Sequence, residues 1–404
     1  MLGKVGLTGA LAAAILGAAP ANALSPTPAP VNIAAADNAF GFALLKAVQK
    51  EEPHGNVVLS PVSAALDLAI ALNGASGTTA TEMQKALMLE GLDLGAVNSA
   101  NAELIKILRT PTQNVTLSVW DSLWTDSRRV KLHADFVAEA QRSYDAQVED
   151  LDFSKPDAPA YINGWVDKAT HGKIPKVIES IDPNQVALLL NAIYFKGEWS
   201  KKFDKSATHD GSFTLANGSA VTVPRMAQNA TFDYFATADV QAIRLPYDKG
   251  DLAMDVFLPS KTSSLSAFEG TLTQANWNAW QGRFSAQEGT IELPRFELKN
   301  TYDLNGPLQS LGMVQAFNPN EAEFAKMADR RVSISQVKQL TYLKVDEEGS
   351  EAAAVTSIGI VAMAVRQTPP PFHMIVDRPF LCAIEDRRSH ALLFIGAIYN
   401  PNGT

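Results

Sequence analysis

Two short stretches contain residues whose types and spacing could support acyl-transfer chemistry. Ser335-Gln-Val-Lys338 has the Ser-x-x-Lys spacing of serine acyl-enzymes, and Lys261-Thr-Ser263 is close to the motif that accompanies it. In this chain, however, the second stretch precedes the first, its final glycine is missing, and neither Ser-Asp-Asn nor Gly-x-Ser-x-Gly occurs. We therefore expect that the protein is not an enzyme.

The potential metal ligands do not have the spacing of a metal-binding site. No two histidines have His-x-x-x-His spacing and no Cys-x-x-Cys occurs, so we expect neither a metal ion nor another cofactor. Cys382 is the only cysteine, which excludes an intramolecular disulfide. It lies in an apolar run that is typical of a buried strand, so we expect an inert, packed thiol.

The composition describes an ordinary globular protein with an acidic surface. Of the 404 residues, 46% are hydrophobic and 19% are charged, which is enough for a large core without disulfides. The net charge is −9, and no cluster of lysines and arginines appears. Nucleic acids and anionic membranes bind basic patches, so we expect neither as a partner.

The first residues have the pattern of a targeting segment. Lys4 supplies a positive start, a short apolar stretch follows, and Ala21-Asn22-Ala23 ends in a small-residue cleavage site. We predict a signal peptide over residues 1–23 with cleavage after Ala23, a Pro/Ala-rich tether over 24–31, and a single domain over 32–404. The mature protein is then expected to be secreted or periplasmic.

Periodicity predicts helices first and strands later. Asn32 to about Leu108 is helical with a break, and we expect Asp37 or Asn38 to cap the first helix and Ser60 the second, with Pro61 following. Further predicted helices are His133–Tyr144, Ala158–Thr170 and Leu304–Leu311. Predicted strands are Thr116–Trp124, Gln185–Lys196, Gly211–Val223, Phe232–Leu245, Ala253–Leu258 and Gly289–Glu297, and the region from Phe380 to Tyr399 is predicted to be rich in strands. This order indicates one α+β domain.

One long segment, from Glu347 to Phe372, fits neither a helix nor a strand pattern. Its residues are small and mostly uncharged, and it ends in Pro369-Pro370-Pro371. A loop of this length inside a compact domain is usually functional. We therefore expect the function of the protein to depend on this loop.

Five stretches, spread over most of the chain, resemble the serpin family and occur in the family's order. They are Asn56-Val-Val-Leu-Ser-Pro-Val-Ser63 with Asn73-Gly-Ala-Ser-Gly-Thr-Thr-Ala-Thr-Glu82, Asn191-Ala-Ile-Tyr-Phe-Lys-Gly-Glu-Trp-Ser200 with Phe203-Asp204, Ile291-Glu-Leu-Pro-Arg-Phe296 with Leu311-Gly-Met313, Val345-Asp-Glu-Glu-Gly-Ser-Glu-Ala-Ala-Ala-Val-Thr356, and Asp377-Arg-Pro-Phe-Leu381 with Phe394-Ile-Gly396.

The resemblance implies an α+β fold with a large mixed sheet, two smaller sheets and around nine helices. It also implies a suicide mechanism, in which a serine protease attacks the exposed reactive-centre loop (about 347–372) and forms an acyl-enzyme. The cut loop then inserts as a new strand in the large sheet and releases strain stored in the native fold. The protease is dragged along and its catalytic site is distorted.

The residues at the start of this loop match the hinge of the family. They are Glu347, Glu348, Gly349, Ser350, Glu351, Ala352, Ala353, Ala354 and Thr356. Gly349 supplies backbone freedom. Alternation places Ser350, Ala352, Ala354 and Thr356 on the face of the future strand that enters the core. That face is small and uncharged, which suits insertion.

The family's usual count from Glu347 places the scissile bond between Met363 and Ala364. A long apolar residue before the cut suits elastase-like or chymotrypsin-like proteases. The loop is a few residues longer than in many relatives, so Arg366 is an alternative that would indicate a trypsin-like target.

The resemblance also assigns residues that control opening of the large sheet. Ser60, Ser63 and Asn191 match a polar cluster beneath this sheet, and Trp199 matches a residue near the point where the loop inserts. Gln339 stands where many relatives have histidine. Glutamine does not titrate near neutral pH, so we expect sheet opening to lack a histidine-linked pH dependence.

Some serpins no longer inhibit proteases and act as carriers, chaperones or storage proteins, often with degraded hinges. The hinge of this chain is intact, which favours inhibition. The region Asn98–Leu108 corresponds to a helix that binds polyanions in some relatives, but it offers only Lys106 and then Arg109. We therefore expect a serine protease as partner, no heparin-like cofactor, and a monomer.

Overall fold

The computed structural model describes residues 32–110, 113–182, 184–350 and 370–403, together with Gly3. One compact unit spans Val31–Thr404. The predicted signal peptide, apart from Gly3, the tether, and residues 351–369 of the predicted loop lie outside the described residues. None of the described helices is both long and apolar enough to cross a bilayer.

The described part of the chain contains nine α-helices. They are α1 (Ile33–Glu51), α2 (Pro61–Gly74), α3 (Gly77–Ala86), α4 (Leu94–Leu108), α5 (Ala134–Tyr144), α6 (Ala158–Ala169), α7 (Leu265–Gly270), α8 (Gln274–Gln281) and α9 (Asn305–Ser310). Two single 3-10 turns occur at Lys205–Ala207 and Gln315–Phe317. The sequence patterns predict neither α7 nor α8, which have six and eight residues.

One of the two predicted helix starts is confirmed and the other is wrong. The Ser60 side chain accepts a hydrogen bond from the Ser63 amide and caps α2, with Pro61 in the first turn. Helix α1 instead begins at Ile33 with Asn32 as its cap. Asn38 lies inside α1, where its amide bonds the backbone of His390 and Leu392. Its polar side chain therefore ties α1 to a distant strand and does not mark a helix end.

Fifteen strands occur in the described residues. They are β1 (Val57–Leu59), β2 (Val115–Asp126), β3 (Gln147–Leu151), β4 (Ala187–Glu198), β5 (His209–Thr214), β6 (Ala220–Ala236), β7 (Val240–Tyr247), β8 (Leu252–Pro259), β9 (Ser285–Pro294), β10 (Phe296–Asp303), β11 (Gln336–Val345), β12 (Gly349–Ser350), β13 (Phe372–Ile375), β14 (Phe380–Asp386) and β15 (Ala391–Ile398).

These strands form two hydrogen-bonded sheets in the described residues. A six-stranded sheet has the order β10-β11-β4-β2-β3, with β12 also paired to β4. A nine-stranded sheet has the order β1-β15-β14-β8-β7-β6-β9-β13, with β5 also paired to β6. The two smaller sheets expected from the resemblance are joined here, because the 17-residue β6 pairs with β5 near its start and with β7 near its end.

Three predicted strands have wrong boundaries. Gly211–Val223 and Phe232–Leu245 cross turns, because the chain reverses at Leu215–Ser219 between β5 and β6 and again between β6 and β7. Gly289–Glu297 crosses Arg295, which separates β9 from β10. The predicted strands Thr116–Trp124 and Gln185–Lys196 are confirmed as β2 and β4.

The two faces of the six-stranded sheet pack against different helices. Residues at odd positions of β4, such as Ile193, belong to the main core, which includes much of α2. Leu190 of β4 and Leu340 of β11 pack in a second cluster with α6. Because side chains alternate along a strand, each residue of β4 and β11 can be assigned to an α2 face or an α6 face.

Cys382 is buried in β14, as predicted from its apolar neighbours. Its side chain is 1% exposed, and burial raises the pKa of the thiol to about 12. The thiol is therefore protonated at neutral pH and unreactive.

Candidate functional site

The candidate site forms where β4 and β11 diverge. Their parallel pairing runs from Leu188 with Gln336 to Tyr194 with Tyr342. Beyond this point β12 pairs antiparallel with β4, through Gly349 with Glu198 and Ser350 with Gly197. The other edge of Gly197 pairs with β2, so β12 lies on the β11 side of β4. The predicted hinge thus begins in the gap between β4 and β11.

Gly349 occupies a position that no other residue fits. Its φ is +139°, a region that residues with a side chain rarely adopt. A Cβ added here would lie 2.0 Å from the carbonyl oxygen of Gly197 and 2.7 Å from Cα of Glu198. Pairing of β12 with β4 therefore requires glycine for both its conformation and its size.

The two acidic residues before β12 are anchored to neighbouring elements. Glu347 is 4% exposed, accepts a hydrogen bond from the Thr208 hydroxyl at 2.6 Å, and lies 3.5 Å from the Arg295 guanidinium. Glu348 forms an ion pair with Lys205. These contacts fix the base of the predicted loop, and no sequence pattern predicts any of the three partners.

Trp199 joins the end of β4 to the segment that leads into the hinge. Its indole Nε1 donates to the Asp346 carbonyl at 2.8 Å, and its backbone amide donates to the Glu348 carbonyl at 3.0 Å. Its ring stacks on Tyr247 with a centroid distance of 4.4 Å. Trp199 therefore lies beside the base of the predicted hinge.

The predicted polar cluster is assembled beneath the paired part of β4 and β11. Gln339 bonds both backbone groups of Ser60 at 2.9 Å and donates to the Asn191 side chain at 3.0 Å. The Asn191 amide nitrogen donates to the Ser63 carbonyl at 3.1 Å, to the Ser63 hydroxyl, and to Asp121 of β2 at 2.5 Å. All five residues are at most 6% exposed. The cluster thus links β11, β4, β2 and α2 through direct bonds between buried groups.

Two buried carboxyl groups adjoin this cluster. Burial raises the pKa of Asp121 to about 7, against the lowering effects of its bond to Asn191 and of Arg109. Asp67 of α2 is 1% exposed, and neither of its carboxylate oxygens has a hydrogen-bond partner among the described residues. Burial and the nearby Asp121 raise the pKa of Asp67 well above its usual value. The pair therefore holds protons at pH values where exposed aspartates are ionised.

The remaining predicted site residues lie outside the described part of the chain. They are the hinge residues Glu351, Ala352, Ala353, Ala354 and Thr356, the predicted scissile pair Met363 and Ala364, and the alternative Arg366. Among the described residues, no group of three or more His, Cys, Asp and Glu side chains could hold a metal ion.

Comparison with known proteins identifies the family. The family model described as "Serpin (serine protease inhibitor)" matches residues 35–401. The chain belongs to the serpin family. This serpin is 33% identical over 384 residues to the leukocyte elastase inhibitor of Sus scrofa, covering 91% of this chain and 99% of that protein. It is 32% identical over 376 residues to an uncharacterized serpin-like protein of Methanosarcina acetivorans, covering 92% and 86% of the two chains.

Solved structures confirm the serpin fold. The native state of tengpin, a thermophilic serpin, has a TM-score of 0.84 at 28% identity and covers 93% of this serpin and 96% of that chain. Human thyroxine-binding globulin has a TM-score of 0.82 at 26% identity, with 92% and 98% coverage. The mixed α+β architecture expected from the sequence is therefore correct.

We predict that Gly349→Ala displaces the start of the hinge from β4. The new Cβ would meet the Gly197 carbonyl, so the pairing of β12 must break or both strands must shift. Hydrogen exchange at the Trp199 amide, which donates to Glu348, should become at least about tenfold faster.

Gly218→Ala provides the matched control. Gly218 also has a positive φ, +83°, but a Cβ added there would have no atom within 4 Å. This variant should lose only about 1–2 kcal/mol of stability through its backbone conformation. An unchanged exchange rate at the Trp199 amide in Gly349→Ala would contradict the requirement for glycine next to the Gly197 carbonyl.

We predict that stability falls as the pH rises because of Asp121. Its pKa is raised in the folded state, so the folded protein binds more protons than the unfolded chain between about pH 4 and pH 7. Stability is then highest below this window and is lost as pH rises through it. Asp121→Asn should keep the bond to Asn191 and be more stable than the wild type at pH 8 by at least ~1 kcal/mol, with a smaller difference at pH 5.

Urea unfolding midpoints at pH 5 and pH 8 measure this effect. Asp210→Asn is the control, because Asp210 is an exposed aspartate on β5. An equal pH dependence in wild type and Asp121→Asn would show that the buried pair does not titrate in this range.

Proposed function

We propose that this serpin is a suicide inhibitor of serine proteases. The serine of the target attacks the carbonyl of Met363, the bond to Ala364 breaks, and the amine of Ala364 leaves with the C-terminal piece. The ester between the protease and Met363 remains. Insertion of the loop between β4 and β11 then moves the bound protease before water can hydrolyse that ester.

The observation that carries this proposal is the antiparallel pairing of β12 with β4. Extending the same register one residue at a time would place Ala352 opposite Phe195 and Ala354 opposite Ile193. Both partners are at most 1% exposed and face the main core. Small side chains at these two hinge positions are what such a strand requires.

A relative supports an elastase-like target. A protein that is 33% identical carries the name leukocyte elastase inhibitor. Met363 before the cut would suit the apolar pocket of such a protease. Arg366 is the alternative position and would direct inhibition to a trypsin-like protease.

Mixing the mature protein with elastase, chymotrypsin and trypsin tests the proposal. We expect a complex that survives denaturing gels and a released peptide that begins at Ala364 in mass spectra. A complex with trypsin and a peptide beginning at Gln367 would instead assign Arg366. Complete cleavage of the loop without any covalent complex would indicate a non-inhibitory serpin.

We predict that Ala352→Arg converts the inhibitor into a substrate. The charged side chain would have to enter the core beside Phe195, which slows insertion relative to hydrolysis of the ester. The number of serpin molecules cleaved per protease trapped should rise at least about tenfold. Glu351→Gln is the control, because residue 351 would face the opposite side of the new strand, and undiminished trapping by Ala352→Arg would contradict the proposed register.

We also propose that the protein acts outside the cytoplasm after removal of residues 1–23. The predicted cleavage site after Ala23 supports this location. N-terminal sequencing of the exported protein should begin at Leu24. An intact Met1 on the mature protein would contradict export through this segment.

A further inference from the structure

Two tyrosines stack across the contact between β4 and β11 on the α6 face of the sheet. Tyr194 and Tyr342 form the last register pair before these strands diverge. Their ring centroids are 6.4 Å apart and their planes differ by 8°. The side chains are 5% and 4% exposed, so the stack is buried immediately below the gap that β12 occupies.

Two residues that follow α6 in the chain contact the rings of this stack. Lys173 places its ammonium nitrogen 5.2 Å from the centroid of the Tyr342 ring, within the range of a cation–π contact. The imidazole of His171 lies 4.5 Å from the ring of Tyr194. We call His171, Lys173, Tyr194 and Tyr342 the aromatic clasp.

The aromatic clasp is tied to the flanking strands at both ends. His171 Nε2 lies 3.2 Å from the Ser118 hydroxyl of β2. The Tyr342 hydroxyl donates to Glu297 of β10 at 3.0 Å. One line of contacts therefore crosses β2, β4, β11 and β10 at the level where the sheet would begin to open.

Insertion of a strand cannot leave this arrangement intact. Neighbouring strands lie about 4.8 Å apart, and a strand placed between β4 and β11 would roughly double that distance. The two rings would lose their contact, and His171 and Lys173 could no longer hold both tyrosines at once. The incoming chain must therefore break the aromatic clasp before it pairs with the lower part of β4.

We propose that the aromatic clasp is the gate that sets how fast a strand enters between β4 and β11. The role rests on the proposed inhibitory function, in which the speed of insertion decides between trapping and hydrolysis. Tyr194, Tyr342, His171 and Lys173 are then positioning residues for loop insertion. Weakening the clasp should speed insertion and shorten the lifetime of the uninserted state.

Uptake of a synthetic strand by the intact protein tests the gate without a protease. The probe is an N-terminally labelled peptide with the sequence of residues 350–363, followed by fluorescence anisotropy. Tyr342→Ala should take up the peptide about three- to tenfold faster than the wild type, because aromatic stacking of this kind is lost. Tyr342→Phe keeps the ring, loses the bond to Glu297, and should stay within about twofold of the wild type.

Tyr234→Ala is the matched control. Tyr234 of β6 is 4% exposed and stacks on Phe372 with a centroid distance of 3.9 Å, so the change removes a buried ring stack in the other sheet, away from the β4–β11 gap. Its uptake rate should match that of the wild type. Equal rates in Tyr342→Ala and Tyr234→Ala, or no uptake by any variant, would overturn the proposal.

Lys173→Met keeps the test decisive if Tyr342→Ala does not fold. This change removes the charge over the ring and retains most of the aliphatic side chain, and it should raise the uptake rate about twofold. An unchanged rate of peptide uptake would show that Lys173 does not contribute to the gate. No protease takes part in this test. Faster uptake in these variants would therefore support the gate even if the wild type forms no covalent complex. Failure of the proposed inhibitory function can thus be distinguished from failure of the gate.

Discussion

Seven residue pairs join β4 and β11 in parallel register, and every other part of the site depends on how firmly this contact holds. Parallel pairing is slightly less stable per residue than antiparallel pairing. A strand that continues β12 would run antiparallel to both neighbours and would replace one parallel contact with two antiparallel ones. The topology of the sheet is therefore a reason why the proposed insertion would be favourable, and under that proposal the side chains around the gap would determine its rate.

Two sets of side chains hold this contact closed from opposite faces. On the α2 face, Gln339 and Asn191 bond to each other and to Ser60 and Ser63. On the α6 face, the aromatic clasp lies three residues further along the same two strands. The two sets lie on opposite faces of the sheet, so under the proposed mechanism substitutions on either face would adjust the opening of the same gap separately.

The sequence was informative where a residue's own type signals its role. Ser60 followed by Pro61 predicts a helix start, and the motif around Asn191 places that residue beneath the large sheet. The stack of Tyr194 on Tyr342 could not be predicted, because it depends on the register between two strands that are far apart along the chain. Asn217-Gly218 is typical of a hairpin turn, and the predicted strand Gly211–Val223 wrongly runs through it. Asp67 and Asp121 also stand among apolar residues in the sequence, but only the structure shows that both side chains are buried.

Cys382 makes this protein a convenient background for site-specific spectroscopy. It is the only cysteine of the chain, and its thiol is both shielded and protonated at neutral pH. A cysteine introduced at a chosen surface position would therefore be the single site that a maleimide dye or spin label modifies under native conditions. Two introduced cysteines, one in the loop and one on the body of the molecule, would then report the distance between them without first replacing a native residue.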